Sequence, residues 1–336
     1  MITCVHPEPS RLMDSYRHAH PDFSLNTVQP DQAASKPHRG DFLSIIFAGA
    51  MSLILPGYGQ LYNADPGRAA WIFLIFCTAS ISAIALVSLL VPDKWLIACF
   101  VLSIAITLLT WFISIVDALW QAWRHPVAER PWQTTPLYIA VLLIAYLLVF
   151  KAGGGYIRSN LIESFRIPSQ SMAPGILRGD FLFADKRVNC PGCSRSLQPG
   201  DVALFIYPDN RNLVFIKRVI GMPGDRIEIE GTDVKRNGKS LSVITTPRSG
   251  GRIEVVERGA RGVYEVEWSR PVIDKLTFKV PHGHVFVMGD NRNHSQDSRV
   301  IGPVALADVI GIARQIWLSV DDSLDIRWGR MGKTIH

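Results

Sequence analysis

Two serines stand one residue apart, Ser169 and Ser171, in the stretch RIPSQSMAPGILRGD (166–180), and a lysine, Lys217, lies inside the apolar run LVFIKRVIG (213–221). A serine hydroxyl stays protonated near neutral pH and becomes a nucleophile only beside a group that takes its proton. His282, His284 and His294 are available, but none sits in a hydrolase signature and GxSxG is absent. A lysine can serve instead if its ammonium is kept from water. With an ordinary pKa near 10.4, only about one lysine in a thousand is neutral at pH 7 to 8, and burial lowers that pKa by up to several units. Val214, Phe215, Ile216, Val219 and Ile220 flank Lys217 with enough apolar surface to supply the burial. Strand alternation also permits a surface position, the usual place for a lone lysine. Taken singly, Ser169 and Ser295 read as turn serines and GDNR (289–292) as an ordinary tight turn.

Three blocks change that balance. IPSQSMAPGI (167–176), IKRVIGMPGD (216–225) and MGDNRNHSQDSRVIGPV (288–304) resemble, in order and spacing, the bacterial type I signal peptidases, membrane-bound serine proteases that use a Ser-Lys dyad. The resemblance covers residues 145–320. It implies Ser171 as nucleophile, Lys217 as general base, and Ser169 as the hydroxyl that joins the Ser171 backbone N–H in an oxyanion hole. It further implies that Ser295 orients the lysine amine and that Asp297 supports the site, paired with Arg299. A carboxylate touching the amine would raise its pKa, so Asp297 is expected to face Arg299 rather than Lys217.

The same resemblance implies that Ile167, Pro168, Gln170 and Met172 contact an extended substrate, a signal peptide cleaved after small residues in an Ala-x-Ala-like pattern, with no metal and no cofactor. Gly175 departs from the family, which most often has threonine there. Two other readings use the same residues: a peptidase dedicated to a narrow client such as a pilin, and a non-catalytic scaffold that binds signal sequences. A self-cleaving repressor with a Ser-Lys dyad would need a DNA-binding helix pair and no spans, the reverse of this chain.

The elements that must hold these residues divide at about residue 150. Of 336 residues 48% are hydrophobic and 19% charged, and the mean hydropathy of +0.17 is high for a soluble enzyme. Windows 69–92, 95–116 and 131–150 carry no Asp, Glu, Lys or Arg, and each reaches the ~20 residues that a hydrocarbon core of ~30 Å demands. The window 42–64 is uncharged too, but Pro56, Gly57, Gly59, Gln60 and Asn63 interrupt it, so it crosses incompletely or re-enters. PGYGQLYNADPGR (56–68) resembles a Gly-Gln-Leu-Tyr turn of small two-helix membrane domains. Arg124 and Arg130 place the loop between the last two spans in the cytoplasm by the positive-inside rule, and residues beyond 150 outside it.

Past GGG (153–155), read as a flexible exit from the bilayer, short β-rich runs alternate with turn signals: 201–207, 213–221, 226–231, 278–280 and 284–289. The expected fold is a multi-span helical membrane region followed by a mostly antiparallel β domain. Its expected parts are a polar, disordered tail 1–41, accessory helices 42–123, an anchor 131–152, a peptidase domain 153–325 with an inserted β subdomain 231–281, and a tail 326–336. The expected location is the cytoplasmic membrane of a bacterium, with the β domain outside. Expected partners are signal peptides of exported preproteins, the lipid bilayer and the translocon. The net charge of +6 is spread along the chain without a basic-aromatic cluster, so nucleic acid is not among them. Cys190 and Cys193 in NCPGCS lack the second pair that a zinc ribbon requires, which favours a local disulfide.

Overall fold

The computed structural model describes residues 42–90, 95–124, 135–188 and 196–335. The predicted tail 1–41, Arg130 and the Cys190–Cys193 pair lie outside the described residues.

The helical part comprises α1 (Phe42–Ile54), a single turn α2 (Tyr58–Tyr62), α3 (Pro66–Leu90), α4 (Leu96–Arg124) and α5 (Thr135–Asn160). Among the described residues, Leu96–Arg124 and Ile139–Asn160 are long and apolar enough to cross a membrane. With 13 residues, α1 spans only ~20 Å at 1.5 Å per residue, and its contacts show where the chain then goes. Ala48 of α1 packs on Ala118 and Ala122 of α4, and so do Ile45 and Tyr62. Further along, the Trp111 indole donates to the Ser52 carbonyl (2.9 Å). The chain therefore runs beside α4 from about Ala122 to Trp111, turns at Pro56–Gly57 and comes back, so residues 42–64 form a hairpin against α4.

Its polar residues close the turn. The Gly57 N–H donates to Ser114 Oγ, Gln60 Nε2 to the Ser114 carbonyl (2.8 Å) and Asp117 (3.0 Å), and Asn63 Nδ2 to the Ala118 carbonyl (2.9 Å). Such bonds are needed because backbone polar groups freed by a turn find no water in an apolar medium. Gly59 permits the close approach: a Cβ there would sit 2.3 Å from the Ala48 carbonyl and 2.5 Å from the Ala118 methyl.

The glycines at 153–155, expected as a flexible exit, instead belong to α5, which continues to Asn160. The penalty of about 1 kcal/mol per helical glycine is set against contacts at the helix end, where Ile157 is buried and Arg158 pairs with Glu163 at 2.8 Å. One residue, Leu161, then separates the helix from β1 (Ile162–Arg166).

The β domain is antiparallel in all its named strand pairs. Its large sheet has the order β1-β2-β14-β3-β4-β12-β13, with β2 (Asp180–Asp185), β3 (Val202–Ile206), β4 (Val214–Gly221), β12 (His284–Met288), β13 (Val304–Ala305) and β14 (Val309–Ser319). Between β4 and β12 two small sheets are inserted. One is ordered β11-β5-β6-β7, from Val272–Lys279, Arg226–Gly231, Asp233–Arg236 and Lys239–Ser240; the other is β10-β9-β8, from Val263–Trp268, Ile253–Arg258 and Ser242–Pro247. The insertion is not a separate lobe. Trp268, Val266, Ile227 and Ile229 share one core with Ile220, Phe286 and Met288 of the large sheet.

Residues 326–335, predicted as a tail, are also part of the domain. Arg330 donates to Asp180 and to the Gly175 carbonyl, and Ile335 packs on the core that holds Met172.

Candidate active site

Strand β4 is buried from Ile216 onward, and pairing with β3 sets Lys217 opposite Ala203 and Arg218 opposite Val202. Alternation sends the two cations to opposite faces. Arg218 meets a carboxylate, its Nε and Nη2 donating to Asp290 at 2.8 and 2.7 Å, while its guanidinium lies 3.8 Å above the Tyr264 ring. Lys217 meets a serine. Its Nζ is 2.8 Å from Ser171 Oγ and 2.9 Å from the Ile216 carbonyl, and the residue is 4% exposed.

Ser171 is itself 8% exposed and follows β1 by way of Ile167. The segment is anchored by Ile167, whose N–H donates to the Asp180 carbonyl and whose own carbonyl accepts from Gly179, both at 2.8 Å. Met172 and Ile176, fully buried, plug the core beneath it. From the other side the Asn291 N–H donates to the Ser171 carbonyl (3.1 Å) and Asn291 Nδ2 to the Gln170 carbonyl (3.3 Å). Ser169 Oγ lies 3.2 Å from Ser171 Oγ.

Burial pushes the Lys217 pKa down to about 8, and the more distant charges of Asp297 and Asp290 oppose this without cancelling it. Asp297, fully buried, accepts from Arg299 Nε and Nη2 at 2.8 Å each and from the Gly289 N–H at 2.9 Å. Its expected orientation toward Arg299 is therefore the observed one. Ser295 differs from expectation: among the described residues its buried Oγ has no hydrogen-bond partner, so the expected bond to the lysine amine is not formed. Ser295 is nevertheless close by. A Cβ on Gly289 would fall 2.2 Å from Ser295 Oγ and 2.5 Å from the Ser171 carbonyl oxygen, so these two segments meet over the one residue type that leaves them room.

A cleft of about 360 Å³ opens onto the pair, lined by Pro168, Ser169, Ser171, Leu213, Val214, Phe215, Ile216, Lys217, His294 and Gln296. Of the residues expected to touch substrate, Pro168 lines the cleft; Ile167 and Met172 are buried and Gln170 is exposed, and none of these three is among its lining residues. Among the described residues no cluster of His, Cys, Asp and Glu is arranged to hold a metal.

Sequence reasoning missed several residues that shape the site, namely Gly289, Asn291, Asp290 with Arg218, and Arg330. Asp290, Asn291 and Arg218 lie inside the quoted blocks, but their work is done through backbone contacts and a buried pair that spacing does not reveal.

The arrangement is that of a hydrolase in which a buried, largely desolvated amine faces a serine hydroxyl. The family profile described as signal peptidase, peptidase S26, matches residues 137–318. Signal peptidase I of Pseudomonas fluorescens is 35% identical over 192 residues, 48% of this chain and 67% of that one. Signal peptidase I of Buchnera aphidicola from Acyrthosiphon pisum is 30% identical over 263 residues, 60% of this chain and 79% of the other. A crystal structure of a signal peptidase I from Enterococcus faecalis is 28% identical, covering 35% of this chain and 97% of its own, with a TM-score of 0.24. The chain belongs to the signal peptidase family, peptidase S26, and its activity is the removal of signal peptides from exported preproteins.

Proposed function

We propose that Ser171 and Lys217 form the catalytic dyad and that the β domain works at the outer face of a bacterial cytoplasmic membrane. The observation that carries this reading is the 2.8 Å contact of two buried groups, Lys217 Nζ and Ser171 Oγ, with no carboxylate bonded to the amine among the described residues. A protonated amine donates along that line. Once neutral, its lone pair accepts the serine O–H, and the alcohol attacks the scissile carbonyl. The ammonium so formed gives its proton to the leaving amine, and water clears the acyl-enzyme by the same route. The Ser169 hydroxyl and the Ser171 N–H are the donors for the oxyanion. The substrate lies extended against the Pro168–Ser171 segment, main-chain bonds supplying affinity and the small cleft selecting small side chains in an Ala-x-Ala-like pattern.

In the membrane, α3, α4 and α5 cross and α1–α2 re-enters from the cytoplasmic side. The Leu96 end of α4 and the Asn160 end of α5 are both at the β domain, and Arg124 ends α4 at the opposite side, which agrees with the positive-inside rule. Residues 42–124 are an accessory membrane module joined to a peptidase domain that starts at the end of α5 and includes the C-terminal segment. The translocon is a partner this module is suited to meet, since substrates arrive there.

The test is cleavage of a preprotein by the full chain in detergent micelles. Ser171→Ala and Lys217→Ala are each expected to abolish cleavage. The wild-type kcat/KM is expected to rise as pH climbs toward about 8 and to level off above it, because only the neutral amine is a base. Activity retained by Ser171→Ala, or a profile flat from pH 6 to 9, would refute the dyad.

A further inference from the structure

Helix α4 begins on the surface of the β domain. Leu96, in its first turn, is 1% exposed and packs with Phe183 of β2, together with Cys99, Phe100, Ile162 and Trp317. Phe100 meets the Phe183 ring edge-on at 5.6 Å between centroids, and Phe183 stacks on Trp317 of β14 at 5.7 Å. Gln315 of β14, itself 1% exposed, accepts the Ile97 N–H at 3.1 Å with its side-chain oxygen and donates to the Gly332 carbonyl at 2.8 Å. The first N–H groups of any helix lack intrahelical partners. Here the catalytic domain supplies one of them.

One of the strands gripped, β1, leads to the nucleophile, and the other two, β2 and β14, follow it in the sheet order. Ile162 begins β1, Trp317 Nε1 donates to Ser164 Oγ in the same strand at 2.8 Å, and β1 runs straight into the Ile167–Ser171 segment. The domain is thus held at two points, by the one-residue joint after α5 and by the head of α4. The family profile begins at residue 137, so α4 lies outside the part this chain shares with that profile.

We propose that the head of α4 is a positioning element for the reaction: it fixes the height and tilt of Ser171 over the membrane and so narrows the spacing, between the apolar segment of a preprotein and its scissile bond, at which cleavage is efficient. This rests on the reading of α4 and α5 as membrane spans. A domain on one joint can swing to meet cleavage sites at several heights. A domain on two supports cannot, and three residues of extended substrate already displace the scissile bond by ~10 Å. Leu96, Phe100 and Gln315 act through the placement of Ser171 and do not touch substrate.

The experiment uses the full chain in vesicles of phosphatidylethanolamine and phosphatidylglycerol, with preproteins carrying zero to six extra residues between apolar segment and cleavage site. The wild type is expected to cleave best at one spacing and at least about tenfold more slowly three residues away, since the burial of a leucine favours the docked state by about that factor or more. Leu96→Glu, whose charge suits a helix N-terminus but not the Phe183–Trp317 contact, is expected to flatten that dependence to within about threefold while the rate at the best spacing changes little. Phe100→Ala should flatten it in part, and Leu96→Met should restore the wild-type profile.

In micelles, where no bilayer sets the height, all four proteins should cleave every spacing alike. In cysteine-free protein, a membrane-impermeant maleimide should reach Trp95→Cys and Arg124→Cys from opposite faces of the vesicle. Labelling of both from one face overturns the membrane reading and the proposal with it. Correct sidedness with an unchanged spacing profile in Leu96→Glu overturns the proposal alone, as does an equal loss at every spacing that persists in micelles.

Discussion

Replacing Lys217 by methionine should abolish cleavage and make the protein more stable. Methionine keeps the unbranched stem and removes the charge. The size of the gain follows from the pKa. A lysine that titrates near 10.5 in the unfolded chain and at about 8 in the fold binds its proton less tightly when folded, so folding works against the charged amine below about pH 10.5, and to the full extent below about pH 8. Each unit of difference is worth about 1.4 kcal/mol, so the penalty at pH 7 is about 3 kcal/mol.

The sign with pH follows from the same numbers. Between pH 8 and 10.5 the unfolded chain carries more protons than the folded one, and wild-type stability rises with pH. The gap between wild type and Lys217→Met should therefore be largest at pH 7 and below, smaller by about 1 kcal/mol at pH 9, and small near pH 11. Loss of the bonds from Nζ to Ser171 and Ile216 takes back about 1 kcal/mol, which leaves a net gain of about 2 kcal/mol at pH 7. For a domain of this size that raises Tm by about 4 to 8 °C. Thermal unfolding of the full chain in micelles, followed by tryptophan fluorescence from pH 6 to 9, reads it. A variant that is less stable at pH 7, or a gap that does not shrink as pH rises, would mean that the ammonium is not held dry and would remove the physical basis for Lys217 as a base.

Other outcomes follow from the same geometry. Because Asp297 holds the Lys217 pKa up without touching the amine, Asp297→Asn should move the midpoint of the pH–rate profile to lower pH, and a shift to higher pH would contradict the arrangement. Gly289→Ala should lower kcat by about a hundredfold or more with little change in KM, since its Cβ collides with Ser295 and with the Ser171 carbonyl and misplacement of catalytic groups by ~1 Å costs that much. Asp290→Ala leaves Arg218 buried without its carboxylate and should destabilise the domain by about 3 to 5 kcal/mol, measured by urea unfolding. Ser295→Ala removes a hydroxyl that has no bond in the resting site. Its stability should be close to wild type, so a large fall in kcat would show that the hydroxyl engages the amine only during turnover.

The fold was legible where one physical period dominated. The β runs at 213–221 and 226–231 became strands with nearly those ends, because alternation and turn residues bound them. The apolar windows became helices, as their length required. What sequence could not supply was partner identity. GGG looked like a hinge because glycine is flexible when alone, yet α5 carries those glycines onward, held by Ile157 and Arg158 at its end. The hairpin at 42–64 was ambiguous for a related reason. Gln60 and Asn63 are visibly out of place in an uninterrupted apolar helix, but only the Ser114, Asp117 and Ala118 groups waiting on α4 show that the chain turns back along it.

The site divides along the same line. Ser171 and Lys217 were recognisable because each lies in a block of fixed spacing, and the need of one for the other is a matter of chemistry that any fold must satisfy. Arg218, the neighbouring residue, shows what spacing leaves out. It is as buried as Lys217 and on the same strand, yet it meets Asp290 and remains a cation, while Lys217 meets an alcohol and a carbonyl and titrates at about 8. Two adjacent cations are thus given opposite fates by the face each occupies. On the proposed reading, the amine that acts as base is a cation denied a carboxylate partner, while the buried charges around it are paired: Arg218 with Asp290, Arg292 with Glu257 and Arg299 with Asp297.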